Sequence, residues 1–194
     1  MRVTYDDDHG PWTKAEVLSL GEDRRRRREL IGDSLLVTPR PATRHQRALS
    51  RLRRLLESAA SAAGASPEVE VFGAANIVLP GGLFVPDIVV VDVTAADRDM
   101  TAFGSDAVRL VVEIVSPSAT ASRIDRLLKP PYYAEAGIEH LWRLELEPSP
   151  VLVVAALEAG RYVDRVVARA GSRTLVEKPF AVEVDPGALV PQRG

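Results

Sequence analysis

The chain has 194 residues, of which 46% are hydrophobic and 27% are charged, and its formal net charge is −2. This composition is typical of a folded domain and excludes a disordered chain, and the net charge alone does not indicate a nucleic-acid-binding protein. Cysteine is absent, which excludes disulfides, thiolate metal sites and cysteine nucleophiles.

Residues 1–11 are polar and acidic and lack the apolar core of a secretory signal. Nowhere does an apolar run approach the roughly 20 residues of a membrane span. We therefore expect a cytoplasmic protein without a membrane segment. The whole chain, residues 1–194, is predicted to form one domain, with residues 1–12 as a flexible lead-in.

Two patterns mark the first regular elements after this lead-in. Thr13, with Glu16 three residues later, is typical of a helix start and predicts a short helix over residues 14–20. Apolar stretches on both sides of a Gly-Asp pair predict a β-hairpin over residues 29–37.

A long helix is predicted over residues 43–63, with one broad apolar face that includes His45. A buried core histidine is the usual outcome at such a position, and a functional group beside a cleft is the alternative. Four arginines form a stripe beside that face: Arg44, Arg47, Arg51 and Arg54. The stripe is either a solvated surface or a source of sequence-independent contacts to phosphates. The basic run over residues 24–28 has the same two interpretations, since acidic residues flank it.

Strands dominate the chain after the long helix. The predicted strands are 69–72, 76–79, 84–93, 108–115, 139–146, 151–157, 162–168, 174–176 and 180–184, and the later ones form a meander. The runs 84–93 and 108–115 are almost continuously apolar and predict central strands covered on both faces. A helical segment is predicted over 122–136, although Pro130-Pro131 interrupts it.

Each of the two strongest strands contains one acidic residue, Asp87 in the first and Glu113 in the second. If the strands are neighbours, the two carboxylates converge and need a proton or a cation between them. Mg²⁺ suits such oxygen ligands and activates water for attack on a phosphate. The alternative is a structural ion pair between Glu113 and Lys129, with Asp87 capping a loop.

Lys129 is the next cation that can serve these carboxylates. Asp125, Lys129 and Tyr133 are spaced four residues apart, which places them on one face of a continuous helix. Because Pro130 disfavours the helical conformation of the residue before it, we expect a break at Lys129 and a restart with proline in the first turn. Lys129 is expected to reach back to the preceding strand.

These residues together resemble the Uma-two family of restriction endonucleases, which belongs to the PD-(D/E)XK nuclease superfamily. The matching segments are Pro86-Asp87, residues 112–118 (VEIVSPS), Asp125, Lys129, residues 133–138 (YAEAGI) and Trp142, with residues 29–33 (ELIGD), Pro39 and His45-Gln46 upstream. The resemblance extends from about residue 29 to residue 142.

The resemblance implies an α/β (α+β) fold, a restriction-endonuclease-like central mixed sheet flanked by helices, with an N-terminal hairpin and C-terminal meander strands. It implies Mg²⁺, with Mn²⁺ as a substitute, held by Asp87, Glu113, the Ile114 carbonyl and Glu29. Lys129 would complete a catalytic set with Asp87 and Glu113. Asp125, Tyr133 and His45 would lie behind these ligands. In such a nuclease the stripe of Arg44, Arg47, Arg51 and Arg54 would contact the phosphates of DNA.

The position two residues after Glu113, where the superfamily has its lysine, holds Val115. A metal-dependent DNA endonuclease, without an organic cofactor and possible as a homodimer, is the first hypothesis. A nuclease-like fold that binds nucleic acid or protein without cutting is the second, and Val115 favours it. A purely structural or partner-binding domain is the third.

Overall fold

The computed structural model describes residues 4–6, 10–21, 23, 25–64, 68–96, 100–115 and 118–190. The described helices are α1 (Lys14–Ser19), α2 (Thr43–Ala62), α3 (Val93–Ala96), α4 (Ala119–Arg123), α5 (Lys129–Glu135) and α6 (Pro186–Leu189). The described strands are β1 (Thr4–Asp6), β2 (Arg26–Ile31), β3 (Ser34–Pro39), β4 (Val69–Gly73), β5 (Ile77–Leu79), β6 (Gly82–Phe84), β7 (Ile88–Asp92), β8 (Phe103–Gly104), β9 (Val108–Val115), β10 (His140–Glu145), β11 (Val151–Glu158), β12 (Arg161–Arg169), β13 (Thr174–Val176) and β14 (Val182–Val184).

Two six-stranded sheets and one two-stranded sheet make up the β structure of the described residues. The central sheet has the order β12-β11-β10-β9-β7-β4, with β9 and β10 parallel and the other pairs antiparallel. This confirms the predicted mixed sheet and the meander β10-β11-β12. The N-terminal sheet, ordered β1-β3-β2-β6-β5-β8, contains the predicted hairpin β2-β3.

Helices cover both faces of the central sheet because its strands are apolar on both sides. Residues 88, 90, 110, 112 and 114 pack with the apolar stripe of α2, whose core members are Ala48, Leu52, Leu56 and Ala60. The intervening residues 89, 91 and 111 pack on the opposite face with Ile124, Tyr133 and Ile138. The alternation of a strand and the 3.6-residue period of a helix account for this arrangement.

The capping residues of the first helix behave as predicted. The side chain of Thr13 accepts from the Glu16 backbone, and Glu16 reaches back to the Thr13 backbone, so α1 begins with a capping box. The hairpin turns through Gly32, which has a φ of 65°, a conformation that glycine adopts without strain.

One predicted strand is wrong in its extent. The apolar run 84–93 is divided between two sheets, because β6 ends at Phe84 and pairs with β2 and β5, whereas β7 starts at Ile88 and pairs with β4 and β9. Residues 85–87 therefore connect the two sheets. This break places Asp87 just before a central strand rather than within one.

The flexible lead-in predicted over residues 1–12 is also wrong in part. Thr4–Asp6 form β1 and pair with β3, and the Trp12 backbone N–H donates to Asp33 at 2.8 Å. The remaining residues up to His9 lie outside the described residues, as do Arg24, Ser116 and Pro117.

No helix in the described part of the chain is both long enough and apolar enough to span a bilayer.

Candidate active site

Asp87 and Glu113 lie next to one another on neighbouring strands of the central sheet. The register of β7 and β9 places Ile88 opposite Val112, so the next residues beyond this pair are Asp87 and Glu113. Both are buried, with 2% and 0% of their surfaces exposed. Each carboxylate needs partners, because an unpaired charge in the interior is costly.

The Asp87 group comprises Asp87, Arg27, His45 and the backbone of Ile114. Arg27 Nη2 on β2 donates to Asp87 Oδ1 at 2.8 Å. The backbone N–H of Ile114 donates to Oδ2 at 2.7 Å, and His45 Nε2 on α2 lies 3.2 Å from that oxygen. The Asp87 side chain therefore accepts a backbone hydrogen bond from β9 just before β7 begins.

His45 contacts two oxygens with one ring nitrogen. Its Nε2 lies 3.0 Å from the Ile114 carbonyl oxygen, and since a carbonyl oxygen only accepts, Nε2 carries the hydrogen. Its Nδ1 is buried without a hydrogen-bond partner among the described residues. His45 is thus a core residue, 6% exposed, and at the same time a neighbour of the carboxylate site.

The charges around Asp87 decide its ionisation. Burial would raise the pKa of Asp87, but Arg27 and His45 outweigh burial and hold that pKa well below its ordinary value. Burial in turn opposes the charge of Arg27, but Asp87 and Glu29 raise the pKa of its guanidinium above the usual range. Asp87 and Arg27 are therefore both charged.

The Glu113 group comprises Glu113, Glu29, Lys129, Tyr133 and Asp125. Lys129 Nζ lies 2.9 Å from Glu29 Oε1, 3.2 Å from Glu113 Oε1 and 3.7 Å from Asp125 Oδ1. The Tyr133 hydroxyl donates to the same Glu113 oxygen, and Glu29 Oε1 also accepts from the Val85 backbone at 2.9 Å. One cation therefore serves three carboxylates.

Burial raises the pKa of Glu113 to about 8, and although Lys129 opposes this rise, the neighbouring carboxylates Asp125, Asp87 and Glu29 add to it. Burial also opposes the charge of Lys129, but Glu113, Glu29 and Asp125 together raise the pKa of Lys129 above its usual range. Lys129 is therefore charged, whereas burial disfavours the negative charge of Glu113.

A helical segment with an unusual turn delivers Lys129 to Glu113. After α4 the chain makes one turn of π-helix over Ile124–Leu128, and α5 then begins at Lys129 with proline in its first turn. The restart with proline is as predicted, because the first turn of a helix does not need the proline N–H. The predicted break is absent, since Lys129 keeps helical dihedral angles (φ −72°, ψ −42°). Asp125, Lys129 and Tyr133 point into one group, as their spacing predicts.

The candidate ligands for a magnesium-like ion combine side-chain carboxylates with a backbone carbonyl. In the described ranges, no three His, Asp or Glu side chains are arranged to hold a metal ion. Two carboxylates and a backbone carbonyl are nevertheless a donor set that Mg²⁺ accepts, with water and substrate phosphate completing its coordination. Glu113 Oε2 is buried and has no hydrogen-bond partner among the described residues, so this oxygen is available to a cation.

The arginine stripe of α2 is only partly a free surface. Arg44 forms an ion pair with Glu147 and donates to the Leu146 carbonyl at 3.0 Å, and Arg51 donates to the Ala188 carbonyl at 2.9 Å. Arg47 and Arg54 are exposed. Arg44 and Arg51 therefore connect α2 to the segment between β10 and β11 and to α6. Among the described residues, no hydrogen bond or ion pair joins the stripe to the Asp87 group or the Glu113 group.

Sequence reasoning missed Arg27 as a site residue. It belongs to the basic run 24–28, whose arginines bind different partners. Arg28 pairs with Asp23 at 3.2 Å, whereas Arg27 pairs with Asp87, sixty residues away in the sequence. Alternation along β2 is the pattern that could have separated them, because Arg27 and Glu29 share a face and both reach the site.

Comparisons with known proteins agree with this architecture. The family model Uma2, described as "Putative restriction endonuclease", matches residues 14–187. The crystal structure of a putative nuclease belonging to DUF820 from Anabaena variabilis ATCC 29413 has a TM-score of 0.72 and 20% sequence identity, covering 93% of this chain and 98% of that chain. This likeness confirms the expected restriction-endonuclease-like fold. No curated protein matches the chain.

Proposed function

We propose, since the chain belongs to the Uma2 family, that it is a nuclease that hydrolyses the phosphodiester bonds of DNA with the help of a divalent metal ion. Family and fold support a nuclease, and we extend this to a divalent metal ion and a DNA substrate. The observation that carries this extension is Glu113 Oε2, a buried oxygen without a hydrogen-bond partner among the described residues, on a residue that lies next to Asp87 in the register of β7 and β9.

Three oxygens would hold the ion: an Asp87 carboxylate oxygen, Glu113 Oε2 and the Ile114 carbonyl. Mg²⁺ and Mn²⁺ both suit oxygen donors of this kind. When bound, such an ion polarises a phosphoryl oxygen and lowers the pKa of the attacking water. Glu29 contributes indirectly, because its Oε1 is already engaged by Lys129 and the Val85 backbone.

Lys129 and Tyr133 act on Glu113 rather than on the phosphate. Both contact Oε1, which fixes the carboxylate and leaves Oε2 for the ion. Lys129 is 1% exposed and lies among three carboxylates, a location that favours a positioning role over direct contact with the substrate. Its displacement from the superfamily position, taken by Val115, is therefore compatible with catalysis.

A second candidate is a nuclease-like fold that binds nucleic acid without cutting it. The contacts of Asp87 favour it, since Arg27 already balances the charge of that carboxylate and His45 contacts its other oxygen. His45 Nε2 also lies on both Asp87 Oδ2 and the Ile114 carbonyl, two of the oxygens that the ion needs. Catalysis requires His45 to release them.

A cleavage assay separates the two candidates. Supercoiled plasmid and linear DNA are incubated with the wild type, Glu113→Gln and Lys129→Met, each with Mg²⁺, Mn²⁺ or EDTA. We expect metal-dependent cutting by the wild type and a loss of at least about 100-fold in Glu113→Gln, because the variant removes a proposed ligand. Lys129→Met should lose about 10- to 100-fold by freeing the Glu113 carboxylate.

Glu183→Gln is the matched control, because Glu183 is an exposed glutamate on β14 and should cut like the wild type. DNA binding without cutting in any metal would contradict the nuclease and support the second candidate. Cutting that survives in Glu113→Gln would place the chemistry elsewhere.

A further inference from the structure

A cleft of about 750 Å³ opens beside the Asp87 group. Its lining includes Arg27, which also donates to Asp87, and Val85, whose backbone N–H donates to Glu29 in the Glu113 group. Gln46, the neighbour of His45 on α2, lines it as well. The cleft is therefore one side chain, that of Arg27, away from Asp87, and it reaches the Glu113 group through the contact of Val85 with Glu29.

The charge of the cleft differs from that of the chain. Five arginines line it, Arg26, Arg27, Arg28, Arg40 and Arg53, against one carboxylate among the described lining residues, Asp23. The whole chain has a formal net charge of −2. Such a local excess of positive charge attracts anionic ligands, and guanidinium groups pair well with phosphates.

Two of these arginines are the best placed for a ligand. Asp23 engages Arg28, and Glu57 engages Arg53 at 2.7 Å. Arg26 and Arg40 are exposed, and their side chains have no hydrogen-bond or ion-pair partner within the described ranges. They are thus free to bind phosphate at the rim of the cleft.

The lining of the cleft also contains apolar side chains. It includes Leu18, Leu49, Phe72 and Met100, and Met100 is 46% exposed. The Phe72 ring rests on Phe103, with the ring centroids 5.0 Å apart. A duplex keeps the faces of its bases stacked inside the helix, whereas an unpaired base can lay its face against an aromatic side chain such as Phe72.

We infer that this cleft binds unpaired nucleotides of a nucleic-acid strand, with phosphates on Arg26 and Arg40 and a base against Phe72. The inference rests on the proposed function, because it takes nucleic acid as the ligand and names single-stranded regions as its substrate class. It also gives the stripe of Arg44, Arg47, Arg51 and Arg54 a secondary part in binding.

Binding is measured in EDTA, where no metal-dependent cutting occurs, by fluorescence anisotropy of a labelled oligonucleotide as a single strand and as a duplex. The wild type should prefer the single strand. Arg26→Ala/Arg40→Ala should weaken single-strand binding by about tenfold or more and reduce its salt slope by about 1.4, the value for two phosphate contacts on a single strand. Phe72→Leu keeps an apolar side chain in the cleft. It should weaken single-strand binding by about fivefold and leave the affinity for the duplex unchanged.

Arg161→Ala/Arg173→Ala is the charge-matched control. Both arginines are exposed and neither lines the cleft, because Arg161 begins β12 and Arg173 precedes β13. A double variant of Arg47 and Arg54 tests the rival surface. Loss confined to that rival variant, equal affinity for single strand and duplex, or no binding by the wild type would overturn the inference.

Failure of this inference is distinguishable from failure of the proposed function. Metal-dependent cutting that is unaffected by Arg26→Ala/Arg40→Ala would overturn the cleft and leave the nuclease. Single-strand binding that depends on both arginines, without cutting in any metal, would overturn the nuclease and support the cleft.

Discussion

The Asp87 group and the Glu113 group each contain a buried carboxylate, but the pKa values of these two carboxylates shift in opposite directions. Asp87 has a guanidinium, an imidazole and a backbone N–H for one carboxylate, and its pKa lies well below the ordinary value. Glu113 shares one lysine with Glu29 and Asp125, and burial raises its pKa to about 8.

This difference shows that burial alone does not fix the charge of a carboxylate, because the ratio of partners to carboxylates decides the outcome. In the Asp87 group both carboxylate oxygens have partners, and a cation already balances the charge. Among the described residues, the Glu113 group has more carboxylates than cations, and one of its oxygens, Glu113 Oε2, has no hydrogen-bond partner. A divalent cation is therefore most needed on the Glu113 side of the site.

The largest expected effect comes from removing the cation that three carboxylates share. Lys129→Met keeps the volume of the side chain and leaves Glu113, Glu29 and Asp125 facing one another in the interior. We expect a loss of about 4 kcal/mol in the free energy of unfolding, within the usual range for breaking a buried pair. Urea denaturation at pH 8 measures it, and Lys178→Met is the exposed control.

A loss below about 1 kcal/mol in Lys129→Met would contradict the shared-cation description. Adding Glu113→Gln to Lys129→Met should recover part of the loss, because it removes one of the carboxylates left unpaired.

Asp87→Asn should have the next largest effect. It leaves Arg27, whose side chain is 15% exposed, without its ionic partner, and we expect a loss of about 3 kcal/mol. Glu113→Gln should change stability by about 1 kcal/mol or less at pH 7, since the wild-type glutamate is itself largely protonated there. Urea denaturation in EDTA measures both variants. Equal losses in their free energies of unfolding would show that the two carboxylates do not differ in ionisation.

The pH dependence of stability should separate the two groups by a smaller amount. Because the pKa of Glu113 rises from 4.5 to about 8 on folding, the native state binds this proton more tightly than the unfolded state. Its contribution to stability is present below pH 4.5 and is lost as the pH rises through 8. Relative to the wild type, Glu113→Gln should therefore gain about 2 kcal/mol between pH 6.5 and pH 9.

Thermal unfolding in EDTA across this range checks the sign of the effect. Glu183→Gln, on an exposed strand position, should give a curve parallel to that of the wild type. A parallel curve for Glu113→Gln as well would show that the pKa of Glu113 is not raised in the native state.

The Glu113 side of the site was largely predictable from the sequence. An acidic residue inside an apolar strand demands a partner, and the four-residue spacing of Asp125, Lys129 and Tyr133 places three polar side chains on one helical face. The central strand β9 follows from its continuous apolar run. These features are local, so the sequence pattern contains them.

The Asp87 side was not predictable to the same degree. The partner of Asp87 is one arginine in a run of several. Alternation along β2 groups Arg27 with Glu29, but it does not tell that this face meets Asp87. The apolar run 84–93 also conceals the passage from one sheet to the other, because both sheets need the same residue types there. Contacts across sixty residues depend on how two sheets pack, which local pattern does not specify.

The most direct test of the central claim is a titration of the protein with Mn²⁺, followed by electron paramagnetic resonance at pH 8.5. It asks whether the unpartnered oxygen of Glu113 serves a divalent cation. We predict one bound ion in the wild type and in Glu183→Gln, and an affinity at least about tenfold lower in Glu113→Gln. Equal Mn²⁺ affinity in the wild type and Glu113→Gln, or no binding by the wild type, would contradict the account.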